Sequence, residues 1–583
     1  TQLANILSNT VMAVKTPVEY LVAGIVPGSG VNYREGYERL VGLVGSLKDA
    51  MKVFARTLKT GTPGSGVGGE KFYEQTKAFT ARNIVPGSEG KITGKVVDAV
   101  GEWVVRGPFR GLLAADELFK VLNYRSALRG DAFAVALSEG HKGKELHKRM
   151  MELFNDPTPG MVKKAGALAK KNTFQDELGE VGKLIGDLSN AHPIMKVVMP
   201  FIKVPINAMK ESTDLTPLAL LKNSFYKELT SGDPARRSIA MTKMAMGSTF
   251  MSYMAILAME GSITGNGPSD PGLRKTWLMT HRPVAINLGD DPKTGKRRWL
   301  EVGRLEPIGS LVGMVADAVQ VWGFMDEVTA TKFTTGLMAI LAKNFTSKNF
   351  TKGLAGALQA GENPERYAEG FVERMIASLI PNISRQANRV LFDTQVKDLR
   401  NLVDRVKASV PGMSGDVPPL YDGEGNPIMT PTGIFPFSPI YVQAQKNDPV
   451  ALEMLRLRLG FNSISDRLNG IELTRDEYQK LQMSFLKGKD ESTGLTMWKK
   501  IGLLIRTEAY NSAAQTDENR KLTVQNIISA YKMRARYMLR TDQKLGPGLE
   551  ERLAKERVTT AEGASRPKRS ARGEASLVGG FDR

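Results

Sequence analysis

The sequence predicts a mainly α-helical fold: an elongated multi-helix assembly with one small β-hairpin and a Pro/Gly-rich linker. Three observations lead there. Apolar residues return every three or four positions in the segments that can form a core, as they do on a helix with one buried face. Helix-capping signals recur toward the C-terminal end. Strand-like alternation is confined to one short stretch.

The elements follow in chain order. Residues 1–105 are expected to form an N-terminal helical segment, with the periodic run "VGLVGSLKDAMKVFARTL" (Val41 to Leu58) as one helix. It should stop before "KTGTPGSGVGGEK" (Lys59 to Lys71), whose glycines, proline and small polar residues read as a flexible loop. Residues 106–345 form a central helical domain. Its first helix holds "LLAADELFKVLNYRSAL", with Leu112, Ala115, Leu118, Phe119 and Leu122 on one side and Asp116, Glu117 and Lys120 on the other. Asp116 stands four residues before Lys120, the favourable spacing for a surface ion pair, so the acidic pair is expected on a solvated face. Later in this domain, Val284, Ile286 and Leu288 alternate, a polar turn follows, and Trp299 and Leu300 return: a β-hairpin within Arg282 to Pro307. Residues 346–410 read as helical, and 411–447 as a linker or strap, because Pro411 to Pro439 is so rich in proline and glycine. Residues 448–546 form a C-terminal helical domain. There Asp448 is an N-cap, Pro449 the first helical residue and Gly460 the stop, while Thr474 to Glu477 is a capping box. The tail, 547–583, is basic, and from Gly563 it lacks the large apolar residues that would order it.

Composition narrows the function classes. The 583 residues carry 80 Lys and Arg against 61 Asp and Glu, a formal charge of +19 that favours an anionic partner, a nucleic acid or an anionic membrane surface. With no cysteine, thiolate metal sites, disulfides and cysteine nucleophiles are excluded, which fits a chain made in a reducing cytoplasm. The opening "TQLANILSNTVMAVKTP" lacks the parts of a signal peptide.

Catalytic candidates fail one at a time. Asp116 and Glu117 are adjacent, so on a helix they diverge by about 100° and cannot converge on one substrate atom. "GSGVGGEK" has glycines spaced as in a phosphate-binding loop, but Glu70 stands where that loop needs lysine. His141 and His147 are six apart, the wrong interval for two metal ligands on one helical face. No G-x-S-x-G nucleophile elbow occurs. The expectation is a protein that is not an enzyme and holds no metal or cofactor.

Two stretches carry positive signals. Met244 to Met259 is an uncharged run bounded by Lys243 and Glu260, shorter than the ~20 residues of a simple membrane span. Its methionines and small residues suit a helix that packs in a protein core and could also meet a membrane or tunnel wall, through Met244, Met251, Tyr253, Met254, Ile256 and Leu257. "YKMRARYMLR" sets Lys532, Arg534, Arg536 and Arg540 among tyrosines, and "RPKRSAR" adds Lys568 and Arg569. Such mobile cations suffice for sequence-independent contact with DNA phosphates.

A family resemblance adds to this reading. "GPFRGLLAADELFKVLNYRSAL", "HPIMKVVMPFIKVPINAMKESTDLTPLALL", "MGSTFMSYMAILAMEGSITGNGPSDPGLRKTWLMT", "RLEPIG", "YDGEGNPI" and "SPIYVQAQKNDPV" occur in this order. Together they resemble the large internal virion proteins of tailed bacteriophages, ejection proteins that carry a polyvalent-protein-associated domain. The likeness runs from about Gly107 to about Arg540, and "LAMEGSITGNGPSDP" is its most distinctive part. It implies a homo-oligomeric protein packed inside the virion, delivered to the host envelope with the genome, and working with other ejection or portal proteins, phage DNA and the host membrane. It transfers no catalytic residue to this chain. The competing reading is a fragment of a polyvalent phage effector enzyme acting on host nucleic acid or protein.

Overall fold

A computed structural model describes residues 2–67, 107–177, 200–322, 388, 393–400, 402–409, 412–430, 432–433, 438, 440–462 and 464–565. The fold is mainly helical, with small antiparallel sheets. The chain divides into two compact units: 1–267, 281–420 and 428–446 make the first, while 268–280, 421–427 and 447–583 make the second.

The first unit begins with α1 (Gln2–Ile25), α2 (Tyr33–Gly45), α3 (Leu47–Thr60), α4 (Gly107–Ser138), α5 (Gly143–Asn155) and α6 (Pro159–Asn172). The other five helices all pack against α4. The single helix expected over Val41 to Leu58 is two, parted at Ser46, whose φ of −91° and ψ of 0° fall just off helical values. So small a deviation leaves the apolar period intact, which is why the pattern reads straight through it. The buried side of α2 and α3 consists largely of small residues, Gly36, Gly42, Ser46, Ala50 and Thr57, and this lets the backbones approach closely. A Cβ on Gly36 would lie 2.5 Å from the Leu21 backbone nitrogen. Gly61, at φ +69°, ends α3 in the left-handed conformation that glycine adopts without strain.

There follow α7 (Pro200–Asp214), a 3-10 turn, α8 (Asn223–Leu229) and α9 (Pro234–Met259), then α10 (Pro271–Trp277) of the second unit. The hairpin is where its alternation places it: β1 (Ala285–Asp290) pairs antiparallel with β2 (Arg297–Glu301), Ile286 opposite Leu300. It is not alone. After α11 (Ile308–Trp322) and α12 (Leu402–Lys407), the proline-rich region supplies β3 (Thr432–Gly433) and β4 (Tyr441–Gln445). These complete a four-stranded sheet of order β1-β2-β4-β3, so the segment expected to be a linker straps onto the hairpin's open edge. Proline cannot donate to a ladder, and both strands occupy runs free of proline between Pro431 and Pro449. The sheet, α9 and α11 share a core of Met254, Ile263, Val284, Val302, Val312 and Val315.

The second unit adds α13 (Pro449–Arg456), the ribbon β5 (Arg467–Leu468) and β6 (Ile471–Glu472), α14 (Arg475–Lys487), α15 (Met497–Leu504), α16 (Glu508–Asn511), α17 (Asp517–Arg540) and α18 (Gly546–Ser565). Asp448 caps α13 as expected: one carboxylate oxygen accepts the Val450 and Ala451 amides, and the other accepts the Trp498 indole N–H at 2.8 Å. The capping box at Thr474 and Glu477 is present in both directions. Gly460 does not stop α13. The left-handed residue is Arg458, and Gly460 instead lets the chain pass the Gly272 backbone, which a Cβ would approach to 2.7 Å. Phe461 stacks on Phe485 and meets Trp498 edge-on at the centre of this core.

Candidate functional site

The basic helix is α17. Thr516 caps its N-terminus, and Val524, Tyr531, Ala535 and Leu539 bury its inner face. The four cations read as DNA contacts have different surroundings. Lys532 is half-buried, its ammonium 5.8 Å from the centre of the Phe485 ring, and burial together with nearby Arg536 lowers its pKa. Arg534 donates to Glu491 at 2.8 Å, and Arg540 grips Glu550 through two nitrogens. Arg536 is exposed and makes no ion pair among the described residues. Of the interleaved tyrosines, Tyr531 is buried and donates to the Leu495 carbonyl at 2.7 Å, whereas Tyr537 is exposed. The open face of α17 is therefore Met533, Arg536, Tyr537 and Arg540. Glu491, remote in sequence from this run, and Glu550, ten residues past its end, are what charge counting along it could not see. Lys568 and Arg569 lie outside the described residues.

The apolar run forms the C-terminal part of α9, N-capped by Asp233 with Pro234 at the first position. Among the described residues no helix is long and apolar enough to cross a membrane. The six residues singled out divide by face. Met254 is buried, with Met251 and Leu257 packed beside it against the sheet, and Met244 packs against Phe225 and Ala240. Tyr253 and Ile256 are exposed, together with Met241 and Met259.

The acidic pair on α4 corrects an expectation. Glu117 and Lys120 are buried and Asp116 is half-buried; none forms a solvated face. Lys120 donates not to Asp116 but to Glu117, at 2.7 Å. The other Glu117 oxygen accepts the backbone amides of Gly64 and Ser65, so part of the glycine-rich loop wraps an internal carboxylate. Asp116 accepts amide N–H groups from Asn5, Asn9 and Gln175, tying α1 to α4. Charge alternation on a helix marks a solvated face only when nothing else packs there, and here α1 and the loop do. Of the two histidines read against a metal site, His147 is exposed and His141 is half-buried, 3.6 Å from Glu139.

Asp116 gives a pH prediction. Burial pushes its carboxyl up to about 6, against the hydrogen bonds from Asn5, Asn9 and Gln175 and the attraction of Lys120. The folded state thus holds the proton more tightly than the unfolded chain between the ordinary value of 3.8 and about 6. Asp116 then favours folding more as pH falls through that window and less as it rises. Asp116→Asn should melt higher than wild type at pH 7.5, and the advantage should vanish by pH 4. A constant difference across that range would contradict it.

A second ionic cluster joins α1 to α7. Lys15 pairs with Glu19 at 2.7 Å and with Glu211 at 2.5 Å, and Lys171 and Lys243 approach the same carboxylates. Burial alone would raise the Glu211 pKa, but Lys15, Lys171 and Lys243 together hold it well below the usual range. Beside it lies a cavity of about 190 Å³, lined by Lys171, Asn207, Glu211, Asp214, Lys222 and Glu228. These charges are largely spent on one another, as Lys222 with Asp214 illustrates, so the cavity offers a mixed lining with no dominant sign.

With this geometry described, comparison with known proteins adds no relative: no family model, no curated protein and no solved structure matches the chain.

Proposed function

We propose that the chain is an internal virion protein of a tailed bacteriophage, ejected with the genome, which helps to form or line a conduit across the host envelope and contacts DNA without sequence preference. It acts as a structural component with no catalytic role. The observation that carries this reading is the ordered run of distinctive stretches from Gly107 to Arg540 that resemble such proteins. Two features agree with it. The excess of 19 positive charges suits a protein stored against packed DNA. The outward face of α17 combines Arg536 and Arg540 with exposed Tyr537. The direct test is mass spectrometry of purified particles from the phage that encodes the chain, where its absence would overturn the proposal.

The DNA contact has its own expected result. Exposed ion pairs contribute only ~0–1 kcal/mol, so Arg534 and Arg540 can exchange Glu491 and Glu550 for phosphates. Each phosphate contact adds about 0.9 to the slope of log affinity against log salt. Replacing Arg534, Arg536 and Arg540 with Gln should therefore lower that slope by roughly 2.7. Adding Lys532→Gln should change it little, because that ammonium is held over Phe485. An unchanged slope in the triple variant would mean that α17 does not touch DNA.

A further inference from the structure

The kinked pair α2–α3 has two apolar sides, and only one is used. The inner side is the row of small residues already described, closed against α4 and α1. Beside it runs a second row, at seven-residue spacing, of large apolar side chains that remain open. Tyr37 is 57 % exposed, Val44 61 %, Met51 53 % and Leu58 43 %, with Leu47 exposed between Val44 and Met51 and Tyr33 exposed one turn before Tyr37. Large apolar residues aligned along roughly 40 Å of helix form a contiguous strip of the kind that marks an interaction surface.

Charge identifies what fits there. Next to the apolar row, displaced by one position, runs a row of exposed cations: Lys48, Lys52, Arg56 and Lys59, with Arg34 on α2. The one exposed acid on α3 is Asp49, 3.2 Å from Lys52. Glu38, on α2, is half-buried and engaged by Arg129 at 2.7 Å. A second copy of this strip laid antiparallel would set cations against cations. A surface that is apolar beneath and anionic above matches both rows at once, since lysine stems can lie along the apolar layer while their ammonium groups reach phosphates.

We propose that the outer face of α2–α3 is a docking surface for an anionic phospholipid bilayer, lying in the interface without crossing it. Tyr37, Val44, Met51 and Leu58 enter the headgroup boundary, and Lys48, Lys52, Arg56 and Lys59 pair with lipid phosphates. The inference rests on the surface of this chain alone. Absence of the protein from virions would leave it standing, and its own failure would leave the virion reading open.

The absence of cysteine makes a direct test simple. Met51→Cys in the full chain gives a single thiol for an environment-sensitive fluorophore, with His147→Cys as an exposed control site on α5. Vesicles of phosphatidylcholine with 30 % phosphatidylglycerol, a chosen composition, should float the protein. They should also blue-shift the label at Met51 while leaving the label at His147 unchanged. Each basic residue near an anionic surface contributes about fivefold to partitioning, so Lys48→Gln with Lys52→Gln should weaken binding roughly 25-fold. Both side chains are exposed, so this variant should keep its helical circular dichroism. Failure of the folded wild type to float, a shift equal at both labels, or binding equal to pure phosphatidylcholine would each overturn the proposal. A shift at Met51 that grows with protein concentration without vesicles would overturn it in favour of a second copy.

Discussion

Arg39→Ala is expected to destabilise the N-terminal helices by about 3–5 kcal/mol, the range for removing one partner of a buried ion pair. Arg39 is 1 % exposed. Its guanidinium meets Glu35 at 2.9 Å and Asp131 at 2.6 Å, and lies 3.8 Å from the centre of the Tyr20 ring. α1, α2 and α4 therefore converge on one cation. Among the described residues, truncation leaves two buried carboxylates with one remaining ion-pair partner, Lys164, 3.3 Å from Asp131. Burial already raises the Glu35 pKa in spite of Arg39, so without the guanidinium it should rise further. Raised carboxyl values make the folded variant bind protons more tightly than its unfolded chain, so its deficit should narrow as pH falls from 7 toward 4. For a unit of roughly 430 residues, a loss of this size lowers the melting temperature by about 3–6 °C. Adding Glu35→Gln and Asp131→Asn to Arg39→Met should recover most of it, because the stranded charges are then gone. A melting temperature for Arg39→Ala within a degree of wild type would refute the account.

That cluster also illustrates which parts of the protein are legible in its sequence. Signals that act within a few residues are: the capping box at Thr474, the N-cap at Asp448 and the alternation of β1 all appear where the local pattern places them. The β5–β6 ribbon is marked locally too: Asn469–Gly470 is a turn dipeptide with both residues at positive φ, although its two-residue strands are too short to show alternation. Features set by distant partners are not. Nothing near Asp116 or Lys120 in sequence announces that α1 and the Gly64–Ser65 turn will cover them. Nothing in "YKMRARYMLR" tells that Glu491, 43 residues before Arg534, will claim its guanidinium. β4 joins a strand about 140 residues earlier through a region whose prolines argue against any sheet. A one-dimensional pattern records which side chains share a face. What comes to lie on that face is decided by the rest of the chain.

Gly247→Ala is the second substitution expected to act strongly, and its sign decides between two accounts. Gly247 lies inside α9, where glycine is ordinarily ~1 kcal/mol worse than alanine. If only helix propensity mattered, the change would stabilise the protein. The structure places the Leu215 carbonyl oxygen 1.7 Å from where the new Cβ would be, with the carbonyl carbon at 2.6 Å. Both belong to backbone and cannot swing aside as a side-chain tip could. To open an ordinary contact, α9 must move away from Leu215, which packs with Leu311 and Met314 of α11. Overpacking of this kind costs typically 1–3 kcal/mol, occasionally more, and here it would also pull Met254 out of the core under the sheet. The control is Gly45→Ala at the end of α2, where nothing lies within 4 Å of the added Cβ and no positive φ is involved. Gly45→Ala should leave the melting temperature unchanged or raise it slightly, while Gly247→Ala should lower it by roughly 1–3 °C. Equal stabilisation by the two substitutions would mean that α9 does not approach Leu215 as described, and that the packing of the apolar run against the sheet must be redrawn.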